Sequence, residues 1–165
     1  MKLLLLHCDY INFKPLKKAL KKIGDLPESE KEGGLMKDCL VVMSAVESID
    51  SNIEKVVEKL VENVKNVAKQ INVKNVVLYP YAHLSKDLSS PDVAVNVLDE
   101  SEKKLKKDFK VARAPFGYYK EFEMKVKGHP LSELSREIKI ENSDGEVYDS
   151  KKLLREISKT KLDTS

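Results

Sequence analysis

Apolar and polar residues recur along this chain with changing periods, and each period predicts an element. "MKLLLLHCDY" places four leucines before His7 and Asp9, which reads as a buried first strand, too short for a signal-peptide core or a membrane span. Residues 13–37 mix lysine-rich helical spacing with "GDLPESEKEGG", whose Gly, Pro and Ser break regular structure, so a strand-edge or loop excursion is expected there. "CLVVMSAVES" over 39–48 reads as a buried strand, and "SNIE" over 51–54 matches a capping box. Ile53, Val56, Val57, Leu60, Val61, Val64, Val67, Ala68 and Ile71 then recur at helical spacing, with Glu and Lys on the other face, and predict a helix that covers a sheet. "NVVLYP" over 75–80 predicts a strand, "SSPDVAV" a second helix with a Ser cap and Pro91 in its first position, and "KVARAP" a further strand. Strand, helix, strand, helix, strand predicts parallel pairing through right-handed crossovers, with both helices on one face.

Near the C-terminal end "YKEFEMKV" alternates strictly. If Phe122, Met124 and Val126 point into the core, Lys120 opens the same inward face, where an ammonium needs a polar partner. The adjacent Tyr118 and Tyr119 point to opposite faces, so only one of them is expected to line a pocket. From Glu141 the chain turns polar and Gly-containing, then ends in "KKLLREISKTKLDTS", in which Leu153, Leu154 and Ile157 predict a short amphipathic turn. The expected organisation is a domain over 1–140 and a linker or C-terminal extension over 141–165.

Composition narrows the partners. At 165 residues with 41% hydrophobic content, one core can form without a disulfide or metal staple. A net charge of +3, from 30 Lys+Arg against 27 Asp+Glu, gives no case for wrapping duplex DNA, so any nucleic-acid contact should be local. Cys8 and Cys39 form no CxxC and no Cys/His cluster of metal spacing, which fits free thiols, a reducing cytoplasm and no structural zinc.

His7, His83 and His129 each lie at the end of an apolar run. His83 stands apart, because "YPYAHLS" puts it directly after a strand and before a helix, where ligand sites of α/β sheets form. With Lys120 and Glu133 it supplies a near-neutral base, a cation and an anion, a set that can polarise a carbonyl, hold an amine and orient water. No GxSxG elbow, P-loop or HExxH occurs, and the Gly pair in "KEGGLM" is a weak phosphate cradle. A site of His, Lys and Glu with no cofactor and no metal suits hydrolysis of an activated bond such as an ester.

"LLLLHCDY", "YPYAHLS", "SSP" and "RAPFGYYKEFEMKVKGHPLSELSR", in that order and at these separations, closely resemble the amino-terminal editing domain of archaeal threonyl-tRNA synthetase over residues 1–140. Two departures are Cys8, where a Ser is common, and Val126, where a Cys is common. The resemblance implies an α/β fold like that of D-aminoacyl-tRNA deacylases, a twisted β-sheet covered by two main helices, in a homodimeric cytoplasmic protein. It implies hydrolysis of the ester of serine wrongly attached to threonine tRNA, with no cofactor, no membrane and no DNA partner. The remaining synthetase domains are implied as partners, in cis or in trans. By the same comparison His83, Lys120, Tyr119 and Glu133 are catalytic. Ala45, Val46, Pro80, Tyr81, Ala82 and Phe116 line the aminoacyl pocket, and the terminal 2′-hydroxyl of the tRNA takes part, while His7 and Asp9 are structural or peripheral. Two alternatives keep the fold: a non-catalytic module that binds the tRNA end and dimerises, and a freestanding D-aminoacyl-tRNA deacylase.

Overall fold

The computed structural model describes residues 1–140; the linker and amphipathic turn expected over 141–165 lie outside the described residues. In chain order the elements are β1 (Lys2–Lys18), a short α1 (Glu28–Lys31), β2 (Gly34–Ala45), α2 (Ile53–Ile71) and β3 (Asn75–Pro80). A 3₁₀ turn (Ala82–Leu84), α3 (Pro91–Leu105), β4 (Lys110–Arg113), β5 (Tyr118–Val126) and β6 (Glu133–Glu137) follow. They form one sheet in the order β4-β3-β2-β1-β5, with β6 also paired to β1. The β2–β3 and β3–β4 pairs are parallel, as the strand-helix alternation predicts. β1 is antiparallel to β2, β5 and β6. β5 faces residues 8–18 of β1 and β6 faces residues 2–6, so the two strands lie end to end along one edge of β1.

Two local expectations change. The first strand does not stop near Tyr10 but continues through the lysine-rich stretch, and β2 begins at Gly34 opposite Phe13. What was expected to be a loop excursion over 13–37 is therefore strand at both ends. Its alternation of buried Ile11, Phe13 and Pro15 with exposed Asn12, Lys14 and Leu16 is the strand period that the lysines and Pro15 obscure. Beyond Phe13, among the described residues, only β5 pairs with β1, and a one-sided strand tolerates a proline that cannot donate. The helix cap also moves by one residue. Asn52, rather than Ser51, is the N-cap of α2, its side-chain oxygen accepting from the Lys55 N–H at 3.3 Å, and Asn72 closes the helix in the left-handed conformation.

Both long helices pack on the same face. Val56, Leu60, Val64 and Val67 of α2 and Ala94, Val97 and Leu105 of α3 join Leu3, Leu5, Leu40, Val42, Val76 and Leu78 in one core. Among the described residues the other face carries no long helix, yet Cys8, Ile11, Cys39, Val41, Val77 and Tyr79 are buried there in a second core. The sheet covers that face by curling on itself. Phe122 of β5 meets Tyr79 of β3 edge to face with ring centroids 5.2 Å apart, although β1 and β2 lie between their strands. In a flat sheet three strand spacings would keep them about 14 Å apart. The extension of β1 past the end of β2, with register irregularities between Cys8 and Tyr10 and between Pro15 and Lys18, is what lets β5 bend over β3.

Candidate functional site

The parallel strands β2, β3 and β4 end on one margin of the sheet, the margin where α/β folds form ligand sites. Ala45 and Val46 close β2, Pro80 closes β3 ahead of Tyr81, Ala82 and His83, and Phe116 follows β4. All the pocket residues expected from the sequence thus come from consecutive strand ends, joined by the Tyr81 N–H donating to the Ser44 carbonyl at 2.8 Å. Ala45 and Val46 are buried, Phe116 packs against the helix-side core, and Ala82 and His83 are exposed.

The sheet curl brings Lys120 to this margin. Its Nζ donates to the carbonyls of Pro115 (2.9 Å) and Tyr118 (3.0 Å) and lies 5.3 Å from the centre of the Tyr79 ring. These carbonyls and the ring face are the polar partners that an inward lysine requires. No carboxylate among the described residues pairs with it, and burial pulls its pKa down to about 8. At pH 7 the amine is still mostly protonated. Of its three N–H donors two are committed to carbonyls, so one is left for a ligand.

From Lys120 an aromatic wall runs to His83. Tyr79 contacts Phe122, Tyr81 contacts both Tyr79 and Phe122 at 6.4 Å, and the Tyr81 ring meets the His83 imidazole at 5.1 Å. Phe122 is a correction to the sequence reading, because it is 39% exposed as part of this wall rather than buried in the core. Met124 and Val126 do pack inward, half-buried against the second core. Tyr79 and Phe122 were not singled out as site residues. The available signal was the "YPY" spacing, which aims Tyr79 and Tyr81 at one face just before His83.

The segment that carries His83 is fastened to the loop after β2. Ser85 Oγ donates to Glu47 Oε2 at 2.6 Å, the Ser48 N–H donates to the Asp87 carbonyl, and the Ser89 N–H donates to the Val46 carbonyl. Burial acts to raise the Glu47 pKa, but the Ser85 hydroxyl, the Met1 amino group and Lys2 outweigh it and hold the carboxylate below its ordinary value. Asp50, buried beneath the same loop, accepts from the Glu47 N–H at 2.7 Å. The exposed imidazole thus sits on a firmly held backbone.

Two expected members stand elsewhere in the single chain. Tyr119 is on the opposite face of β5 from Lys120, 55% exposed, with Lys17 Nζ 5.8 Å above its ring. Tyr118 does not line the pocket either, since its hydroxyl donates to the Gly24 carbonyl. Glu133 is paired with Leu6 while Lys120 is paired with Pro15, nine residues further along β1, a separation of about 30 Å on a straight strand. Between them lies a separate polar relay. The Leu131 N–H donates to His129 Nδ1 (3.2 Å), which leaves His129 Nε2–H to donate to His7 Nδ1 (2.7 Å) and His7 Nε2–H to face Asp38 at 3.4 Å. With Asp9 paired to Lys127, this relay pins the loop between β5 and β6 to β1. Both histidines and Asp9 are thus engaged at the joint between β1 and the β5–β6 loop.

Cys8 and Cys39 face each other across β1 and β2 as buried free thiols, pushed by burial up to about 11 and 12, and so pack as small apolar groups. A groove of about 510 Å³ on α3, lined by Asp92, Asn96, Asp99, Glu102 and Lys106 among others, contains none of the residues discussed above. Among the described residues no three His, Cys, Asp or Glu side chains are grouped as metal ligands would be, and no helix is long and apolar enough to cross a membrane.

Comparison with known proteins adds three findings. Residues 1–138 match the model of the archaea-specific editing domain of threonyl-tRNA synthetase. The chain is 49% identical over 140 residues to a threonine–tRNA ligase of Thermococcus onnurineus, covering 84% of this chain and 22% of that protein. It is also 49% identical over 144 residues to the one of Methanococcoides burtonii, again covering 22% of that protein. The chain therefore spans about a fifth of the length of these curated relatives. Among solved structures, the c-Myc DNA Unwinding Element Binding Protein superposes with a TM-score of 0.57 at 11% identity, covering 85% of this chain and all of that one, a likeness of fold alone. The fold is the D-aminoacyl-tRNA deacylase-like α/β arrangement expected from the sequence. With the family model spanning every described strand and helix, the chain belongs to the archaea-specific editing-domain family of threonyl-tRNA synthetase.

Proposed function

We propose that this chain hydrolyses the ester of serine wrongly joined to threonine tRNA. The observation that carries the reading is the state of Lys120: a half-buried ammonium with two N–H groups held by carbonyls and one open, at one end of an aromatic wall whose other end is His83. The open donor faces the ester and stabilises negative charge that develops on its carbonyl oxygen as water attacks, where a donor fixed in advance is worth most. His83, exposed and attached to a held backbone, orients that water. The terminal 2′-hydroxyl of the tRNA lies beside the ester in any such substrate and assists the attack, so no protein nucleophile is needed. Ala45, Val46, Pro80, Tyr81, Ala82 and Phe116 surround the amino-acid side chain, while Tyr119 lies on the outer face of β5, turned away from Lys120.

Selection against threonine is steric. One methyl is worth only about 1–3 kcal/mol in a binding step, so a synthetic site alone discriminates poorly, and a second, hydrolytic pocket adds accuracy. The buried walls at Ala45 and Val46 resist the expansion that a larger side chain demands.

Glu133 enters this chemistry only through a second copy, because its own Lys120 is too far along β1. We therefore read the active form as a homodimer in which one chain's Glu133 approaches the other chain's cluster. Residues 1–140 form the editing unit, in the cytoplasm, alongside the remaining synthetase domains in cis or in trans. Incubating the chain with Ser-tRNA(Thr) tests the reading. Release of serine well above the spontaneous rate is expected, and a rate equal to buffer alone contradicts it.

A further inference from the structure

The lysine-rich end of β1 and the turn that follows it have no role in the chemistry above. Lys14, Lys17, Lys18, Lys21 and Lys22 are all exposed. Among the described residues Lys18 pairs with Asp25, and Lys17, Lys21 and Lys22 have no carboxylate partner. Lys14 lies across from Glu121 and is discounted for that reason.

The turn is fixed to the site. The N–H groups of Ala19 and Leu20 donate to the Gly117 carbonyl (2.8 and 3.2 Å), and Tyr118 Oη donates to the Gly24 carbonyl (2.8 Å). Ile23 packs so closely on Gly117 that a Cβ there would come within 2.5 Å of it. Gly117 and Tyr118 belong to the turn whose carbonyls hold Lys120. The lysines are thus held on the segment that positions the ammonium, beside an exposed tyrosine ring already capped by Lys17.

We infer that Lys17, Lys21 and Lys22, with Tyr119, form a contact surface for the single-stranded 3′ end of the RNA whose ester enters the pocket: the lysines meet backbone phosphates and the ring stacks on a base. The inference rests on the editing reading for the identity of the polyanion. Its chemistry is that of single-strand recognition, an aromatic platform flanked by cations, and it answers the small net charge of the whole chain, which requires any nucleic-acid contact to be local.

The test uses uncharged, dye-labelled single-stranded RNA ending in CCA, with anisotropy read across a salt series. Replacing Lys17, Lys21 and Lys22 together by Gln should weaken binding at low salt roughly tenfold and lower the log–log salt slope by about 2, since each single-strand phosphate contact contributes about 0.7. Tyr119→Leu should weaken it roughly fivefold or more. Replacing Lys103, Lys104 and Lys107 of the α3 end by Gln removes the same charge from another exposed surface and should change little. Wild-type affinity and slope in the first variant, or an equal loss in the control, overturns the inference. So does dissociation of the first variant into monomers with RNA binding unchanged, which would assign the turn to a contact between copies. Hydrolysis is scored separately: a chain that binds RNA through these lysines yet releases no serine retains the surface and loses the editing reading. Active editing with RNA binding indifferent to the lysines does the reverse.

Discussion

At the scale of single residues, Lys120 carries the heaviest burden. Strand alternation alone put it on the inward face and required a polar partner, and His83 was legible from its place after an apolar run. The partners themselves were not legible, because the Pro115 and Tyr118 carbonyls and the Tyr79 ring reach the amine only through a turn and a curled sheet. The depressed pKa makes opposite predictions for stability and for activity. The folded chain releases the Lys120 proton near pH 8 and the unfolded chain near 10.5, so between those values the unfolded state binds more protons and stability rises with pH. Enzymatic deacylation, corrected for spontaneous hydrolysis, should fall over the same window as the ammonium is lost. Lys120→Met should lower the rate about 100-fold, about 3 kcal/mol of transition-state stabilisation, while the melting temperature at pH 7 holds or rises because a desolvated charge is gone. An unchanged rate removes the lysine from the mechanism. His83→Ala should cost less activity and leave stability unaffected, as expected for an exposed side chain that orients water.

At the scale of elements, α2 was readable almost to the residue because its apolar stripe is unbroken, whereas β1 was cut short. The strand period survives through Phe13 and Pro15, but lysines at the exposed positions imitate helical spacing once the neighbouring strand is out of view. The turn between β4 and β5 has a demand of its own: Gly117 has φ +81° and no room for a Cβ beside Ile23. Gly117→Ala should therefore destabilise the fold by about 1–3 kcal/mol in chemical denaturation. It should also reduce hydrolysis, since the displaced carbonyls are those that hold Lys120. Full stability in this variant would show that the turn relaxes without cost.

At the scale of the whole molecule, the parallel half and its two helices followed from element order, but the curl that stacks β5 on β3 did not, because closure depends on pairing between distant strands. That is why the sequence grouped Glu133 with His83 and Lys120 while one chain holds it far off along β1. Light scattering should report a homodimer. Mixing Lys120→Met chains with Glu133→Ala chains should restore activity to about a quarter of wild type, because half of the random dimers are mixed and each mixed dimer has one intact site. No recovery would place Glu133 outside the shared site. Removal of residues 151–165 should leave fold and hydrolysis largely intact, and loss of soluble protein would make that segment part of the domain. The central claim, a pocket that clears serine and spares threonine, is tested most directly by single-turnover deacylation of Ser-tRNA(Thr) and Thr-tRNA(Thr) side by side in EDTA. The account predicts much faster release of serine, undiminished by the chelator; equal rates on the two substrates would contradict it.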